Sequence, residues 1–565
     1  MCGIFGHLGN KIREKDEYSF MLKLLRHRGP DASNLYYNKK NNVVLGHTRL
    51  SIIDLNHNAN QPMQIDHLII VFNGEIYNFL ELKNKYLEDI EFISNSDTEV
   101  ILRLYAKYGI DKTLKLLRGM FAFAIYDRNS DLLYLARDQV GKKPLYYNYS
   151  NNSIFFSSDI KPYTVLKENL EINENIFDET NSFRFSSTNS VTKDLEMLKN
   201  GTYLSFNLKN NQIIKKNYFH FSDLIDEKLY NQFKNMSEDE LIDRLNSVII
   251  ESIRRRFIAD VPIATINSGG IDSSLVTAIA YNLKKMDILH VNVEGMSETK
   301  FAKILTEQLK AEMKTIKLNS SKVDEYMDET IQSYEYPLVH PNSIGIKLVS
   351  KLARENYIKV LLCGDGADEL FGGYGFQLKY YILNKIPLLN IPNIFKKIYK
   401  IELSTYMKSI NKKISNIVKN TLVIQMIKEN QNNYEKNFDF IANVGEKRTS
   451  AFMLGVLDEY LQPILLRADK MSMAHSVEMR SPFLDLELIK FAVNLPNKYK
   501  FKFFQRKYIL KKVAERYLPQ SIIYRKKMGF PIPSSSKLMP DKSIDLGINY
   551  NLYSKEVLKK FFNIN

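Results

Sequence analysis

The hydrophobic periodicity of this 565-residue chain switches once. Up to about residue 205, short apolar or alternating runs sit between turn residues: Val43–Leu45, Leu68–Phe72, Ala122–Tyr126, Leu132–Ala136 and Ser153–Ser157. Such runs predict strands. Helical spacing interrupts them over Tyr18–Leu25, Thr98–Tyr108 and Lys112–Leu116, which predicts an α+β arrangement. A polar stretch, about 219–238, then separates this half from the rest. Beyond it, strand and helix patterns alternate. Helices are predicted over Glu240–Arg256, Ser273–Leu283, Thr299–Leu309 and Ile344–Glu355. Strands are predicted over Val261–Ile266, Ile288–Val293, Thr315–Leu318 and Lys359–Leu362. That alternation predicts a parallel, doubly wound sheet. Past Leu370 the pattern is almost wholly helical. The expected division is residues 1–210 and 235–565.

Two cysteines, Cys2 and Cys363, cannot build a disulfide framework, so a reducing compartment, the cytoplasm, is expected. No run of apolar residues is long enough to predict a membrane span, and no basic segment leads into an apolar one at the start. The formal charge of +15 first suggests nucleic acid. The excess is uneven: residues 377–450 hold 13 Lys/Arg and 5 Asp/Glu, a net of +8. Solvated lysine-rich helix faces account for it, and no aromatic-basic groove motif accompanies it. A nucleic-acid partner is therefore the remote alternative.

Cys2 is an ordinary small buried residue unless Met1 is removed. It would then carry both a thiol and an α-amine, whose pKa of about 8 suits a general base. The residues downstream fit that chemistry. Asn73-Gly74-Glu75 follows the predicted strand Leu68–Phe72, and an Asn amide beside a Gly N–H can form an oxyanion hole. Arg49 is a fork for a carboxylate. Asp97 sits at a helix start, either as an N-cap or as an acceptor for a ligand ammonium. Together they describe an amino-acid substrate with a side-chain carbonyl.

These residues lie in Cys2-Gly3-Ile4-Phe5-Gly6, His27-Arg28-Gly29-Pro30-Asp31, Gly46-His47-Thr48-Arg49-Leu50-Ser51, Phe72–Asn78 and Ser96-Asp97-Thr98-Glu99. The set, over roughly residues 2–205, resembles the class II, N-terminal-nucleophile glutamine amidotransferase domain. The resemblance implies an αββα glutaminase. Cys2 would be the nucleophile, and Asn73 and Gly74 the oxyanion hole. Arg49, Glu75 and Asp97 would bind glutamine, Arg49 at its carboxylate and Asp97 at its amine.

In the second half, Ser268-Gly269-Gly270-Ile271-Asp272-Ser273-Ser274 follows one predicted strand and opens one helix. Glycines, hydroxyls and a helix N-terminus suit an anion, and an acid among phosphates implies a cation. The loop resembles that of the ATP pyrophosphatases and lacks the Walker lysine. A second cluster, Cys363-Gly364-Asp365-Gly366-Ala367-Asp368-Glu369, follows the strand Lys359–Leu362, as an intermediate site or as an acidic turn capping the next helix.

With Ala468-Asp469-Lys470-Met471-Ser472, Glu478-Met479-Arg480-Ser481-Pro482 and Arg506-Lys507-Tyr508, these motifs resemble the asparagine synthetase domain. The resemblance implies ATP and Mg²⁺, with Asp272 and Asp368 as metal ligands. Lys507 would lie near the reacting phosphate and Asp365 beside an acyl-adenylate. Asn267, Ser268, Gly269, Gly270, Asp272, Ser273, Val291, Cys363 and Gly364 would line the ATP site. Lys511 and Lys512, outside the motif position, are expected to be nearly silent. Three residues depart from the usual pattern: Asn267, Cys363, and Asp365 in place of Glu. Tyr336–Ser343 lies on the expected acceptor side. The implied partners are small molecules: glutamine, ATP and a carboxylate, aspartate first and a sugar acid second. A homodimer is possible within the family.

Overall fold

The computed structural model describes residues 2–181, 188–294, 298–338, 342–385, 431–526 and 546–562. The first half contains two antiparallel six-stranded sheets. One runs β10-β8-β9-β1-β3-β2, with β1 Gly3–Gly9, β2 Ala32–Asn38, β3 Val43–Arg49, β8 Tyr146–Ser150, β9 Ser153–Ser157 and β10 Glu196–Met197. The other runs β12-β11-β7-β6-β5-β4, with β4 Met63–Ile65, β5 Leu68–Ile76, β6 Gly119–Asp127, β7 Leu132–Arg137, β11 Thr202–Asn207 and β12 Ile213–Asn217.

Alternation along each strand builds the layers. On β5, Ile69 and Val71 face Ile4, Leu8 and Leu45 of the opposing sheet. Leu68, Ile70 and Phe72 face the other way, onto Leu82 of the helix Phe79–Tyr86 and Ile101 and Leu104 of the helix Asp97–Leu116. The helix Lys15–Leu24 buries Tyr18 and Met21 on the outer face of the first sheet. Helix, sheet, sheet and helix stack as expected.

The second half carries a parallel five-stranded sheet of order β15-β14-β13-β16-β17. Its strands are β13 Ile263–Ile266, β14 Asp287–Val293, β15 Met313–Leu318, β16 Val360–Leu362 and β17 Glu478–Arg480. The first strand stands in the middle, and the chain winds out in one direction and then the other. The direction reverses between β13 and β16, where open α/β sheets bind ligands beyond their strand ends.

The separating stretch 219–238 is itself packed: a 3-10 turn, Phe221–Leu224, and a helix, Glu227–Asn235, bring Phe221, Tyr230 and Phe233 into the second half's core. Its polar composition hid these aromatics. The region past Leu370 is almost wholly helical among the described residues, as expected, with one short strand. β17 pairs parallel with β16, three residues long, its charges internally matched by an Arg480 Nε bond to Glu478 Oε1 at 2.5 Å. Residues 386–430, most of the basic stretch, lie outside the described residues.

The halves share their interior. Leu50, Ile52 and Val140 join the core around the helix Glu238–Arg255, and Phe5 and Tyr146 share a cluster with Leu289 and Leu361. No helix among the described residues is long and apolar enough to cross a membrane.

Candidate active sites

Cys2 enters β1, and its N–H donates to Asn73 Oδ1 at 3.0 Å. Asn73 and Gly74 lie on β5. Asn73 Nδ2 is buried with no hydrogen-bond partner among the described residues, a donor held ready beside the thiol's residue. Gly74 must be glycine: a Cβ would fall 2.1 Å from Met120 O on β6. Burial pushes the Cys2 thiol up, while the Leu50 backbone N–H and the Arg49 guanidinium pull the other way. A buried neutral thiol of this kind needs a base to become a nucleophile.

Arg49 ends β3 almost fully buried. Its Nη1 donates to Asn56 O at 2.8 Å and Asn60 Oδ1 at 2.9 Å, and Nη2 to Ile53 O at 3.3 Å and to Asp54 O. The guanidinium thus fastens the loop 53–60 beside Cys2. Asp97 is not the cap of its helix; Ser96 is, accepting from Thr98 N at 3.1 Å. The Asp97 carboxylate instead accepts from Ile76 N at 2.9 Å, at the end of β5. Burial raises its pKa to about 6, against the pull of that N–H. Glu75 turns toward the second half, its Oε2 at 3.5 Å from Arg480 Nη2. Burial and Glu478 push the Glu75 carboxyl well up, with Arg480 opposing.

In the second half a cavity of about 530 Å³ opens at the sheet's reversal point. Ser268, Gly270, Asp272, Asp365, Asp368 and Lys507 line it together. Lys507 Nζ lies 2.6 Å from both Asp272 oxygens and 2.5 Å from Asp368 Oδ1. Burial lowers the lysine's pKa, but the two carboxylates outweigh it and hold the ammonium charged. The loops after β13 and β16 meet because Gly364 lacks a side chain; a Cβ there would fall 2.8 Å from Ser273 N. Gly373 serves likewise, since a Cβ would fall 1.7 Å from Asp368 Oδ1.

Other sequence candidates stand behind this wall. Asn267 is buried, its Oδ1 accepting from Gly269 N at 2.9 Å and Ser274 Oγ at 3.2 Å, so it braces the turn. Ser273 Oγ bonds Ser268 Oγ at 2.9 Å inside the same turn. Gly269, at φ 76°, packs under Glu298 O. Val291 belongs to the apolar cluster on one face of the sheet. Cys363 Sγ donates to Asp365 Oδ2 at 3.2 Å; burial and Asp365 push its pKa to about 12, so it is a thiol. Glu369 turns from the cavity to accept from Tyr374 OH at 2.6 Å. Lys511, one helical turn after Lys507, lines the cavity as well, whereas Lys512 pairs with Glu515 at 2.9 Å. Pro337, Asn342 and Ser343 line the far wall; His340 lies outside the described residues.

Sequence reasoning did not assign roles to the residues joining the two sites. Lys142 crosses from the first half to donate to Ser481 Oγ at 2.9 Å, with Asp365 Oδ2 at 4.0 Å. Arg28, fully buried, donates to Cys2 O at 3.2 Å, Asp159 Oδ1 at 3.1 Å and Asp469 Oδ2 at 2.8 Å. Arg28 lies in a motif quoted above and Lys142 in none, and only the fold shows that they cross between halves.

Residues 1–219 match the glutamine amidotransferase domain family, and residues 244–547 match the asparagine synthase family. A Bacillus subtilis relative, asparagine synthetase [glutamine-hydrolyzing] 1, is 32% identical across 94% of this chain and 87% of its own length. The chain belongs to the glutamine-hydrolysing asparagine synthetase family. A second relative of that family, from Methanocaldococcus jannaschii, is 34% identical over 68% of this chain and 79% of its own length. A Gibberella zeae protein named Amidase chry2 is 25% identical over 94% of the chain and 89% of its own length. As a member of the asparagine synthetase family, the chain is an enzyme of glutamine-dependent amide formation, with the Cys2 site in its glutaminase half and the cavity in its synthetase half.

Proposed function

We propose that this enzyme makes asparagine from aspartate, with glutamine as nitrogen donor and ATP converted to AMP and pyrophosphate. The observation that carries the reading is the convergence of Asp272, Asp368 and Lys507 over the Ser268–Ser274 turn. That is charge placed for phosphates, in a loop with no Walker lysine. The two carboxylates come from loops on either side of the sheet's reversal point and meet one cationic group. Asp272 and Asp368 would hold a Mg²⁺ ion through these hard carboxylate oxygens. Among the described residues no cluster of three or more His, Cys, Asp or Glu forms a cage without substrate. When bound, the ion would neutralise phosphate charge.

In the glutaminase half, once Met1 has been removed, the freed Cys2 α-amine takes the thiol proton and Sγ attacks the glutamine side-chain carbonyl. Asn73 Nδ2 and the Gly74 N–H hold the oxyanion, and ammonia leaves as the thioester forms. Water then releases glutamate. Asp97 holds the substrate ammonium. Arg49 faces its carboxylate, which must share or displace the carbonyls of the loop 53–60. In the synthetase half, a carboxylate oxygen of the acceptor attacks the α-phosphorus, and the bond to the β-phosphate oxygen breaks. Lys507 stabilises the charge that develops there. Ammonia attacks the acyl carbon near Asp365 and AMP departs.

A second reading, the same chemistry on another carboxylate, draws on Asp365 standing where Glu is usual and on the relative named as an amidase. One experiment decides. With ATP, glutamine and aspartate, AMP, pyrophosphate and asparagine should form in equal amounts. Amide formation only with another carboxylate favours the second reading. Stoichiometric ADP without AMP overturns both.

A further inference from the structure

Arg525 lies outside every motif named above, yet it lines the synthetase cavity. Its side chain is 10% exposed. Two anchors on the helix Glu298–Leu309 fix its plane. Nη2 donates to Glu298 Oε1 at 2.8 Å, and the guanidinium carbon sits 4.6 Å from the centre of the Phe301 ring. The same helix closes on the anion turn, because a Cβ on Gly269 would fall 2.6 Å from Glu298 O. Arg525 Nη2 itself stands 3.7 Å from where a Cβ on Gly270 would be.

One end of this guanidinium is satisfied and the other is not. Nη1 is buried and has no hydrogen-bond partner among the described residues. A buried donor without an acceptor is rare unless a ligand supplies one. Arginine does not deprotonate and cannot act as an acid or base, but its planar fork matches phosphate oxygens. The surroundings point to an anion. Arg506, Lys507 and Lys511 face the same cavity, and burial together with Arg506 and Lys507 lowers the pKa of Lys511. Asp272 and Asp368 already pair with Lys507, so Arg506 and Lys511 are the cations left to face an anion.

We propose that Arg525 is a further pyrophosphate-binding residue, its Nη1 donating a hydrogen bond to an oxygen of the departing β,γ-phosphates while Glu298 and Phe301 hold it in place. This rests on the adenylation reading above. The glutaminase site plays no part in it.

Calorimetric titration with inorganic pyrophosphate in magnesium chloride, and separately with AMP, tests the assignment on the full chain. Arg525→Ala and Arg525→Gln should each weaken pyrophosphate binding by about tenfold or more, the loss expected for a hydrogen bond to a charged group. AMP binding and glutamine hydrolysis should be unchanged. Arg516→Ala, which removes an exposed arginine paired with Asp243, is the charge control and should leave pyrophosphate binding intact. If the wild-type enzyme binds pyrophosphate and both Arg525 variants bind it equally well, the assignment is overturned. A uniform loss of AMP binding, glutaminase and pyrophosphate binding in both variants also overturns it, as the mark of a structural ion pair. A wild-type enzyme that forms ADP and binds no pyrophosphate defeats the adenylation reading first, and this assignment with it.

Discussion

Two hydrogen bonds fix Cys2, its own N–H to Asn73 and its carbonyl to Arg28, and burial keeps its thiol neutral; the proposed reading makes it the glutaminase nucleophile. Cys2→Ala should abolish glutamate release while leaving amide synthesis from ammonium salts intact; continued hydrolysis would refute the nucleophile assignment. Asp97 adds a pH dependence. Its pKa is raised to about 6, so the carboxylate is present above that pH and neutral below it. Only the charged form pairs with the substrate ammonium. As pH falls through 6, kcat/KM for glutamine should therefore fall, whereas Asp97→Asn should be poor at every pH and lose that inflection. A wild-type profile flat from pH 5 to 7 would remove Asp97 from this role. The residue types at both sites were legible because each comes in a motif with a chemical reason for its spacing. Arg525 was not, since nothing in Tyr524-Arg525-Lys526 signals that a helix more than two hundred residues earlier will hold it.

At the scale of elements, the two anion-facing loops depend on one missing Cβ. Gly364→Ala would press against Ser273 N and Asp272. Overpacking of this kind costs about 1–3 kcal/mol and here pushes the loops apart. Synthetase activity should drop at least tenfold with the glutaminase rate within twofold of normal, as a coupled and an uncoupled assay would show. Equal loss of both would mean a general folding defect. Long periodic elements such as Glu238–Arg255 and β5 were readable from spacing alone. Others were not. β17 has three residues, too few to show alternation, and its charges pair with each other. The helix Glu227–Asn235 was masked by its polar majority. Lys511 lines the same cavity as Lys507, the left-handed residue that caps its helix, a placement that sequence spacing did not show.

Across the whole molecule, the halves are joined by buried charge. Arg28 reaches Cys2, Asp159 and Asp469, while Lys470 Nζ lies 2.6 Å from Asp159 Oδ1 and 2.5 Å from Glu335 Oε2. Removing one partner from such a network leaves charge uncompensated and costs about 3–5 kcal/mol. Asp469→Asn should lower the urea midpoint and impair glutamine hydrolysis although Asp469 belongs to the synthetase half. A normal glutaminase with only the midpoint changed would confine the network to stability. None of these cross-boundary pairs could be read from the sequence, because the partners lie hundreds of residues apart.

β17 ends the parallel sheet on the side that faces the glutaminase half. All three of its residues are buried, and Arg480 is covered by Glu75 and by Tyr77, whose ring centre is 5.6 Å from the guanidinium carbon. Glu75 and Tyr77 of the glutaminase half therefore cover the side chain that ends the sheet's edge strand. Setting one half against a foreign partner would strip this cover and disturb Glu75 of the glutamine site with it, so the two halves are constrained to be inherited as one piece.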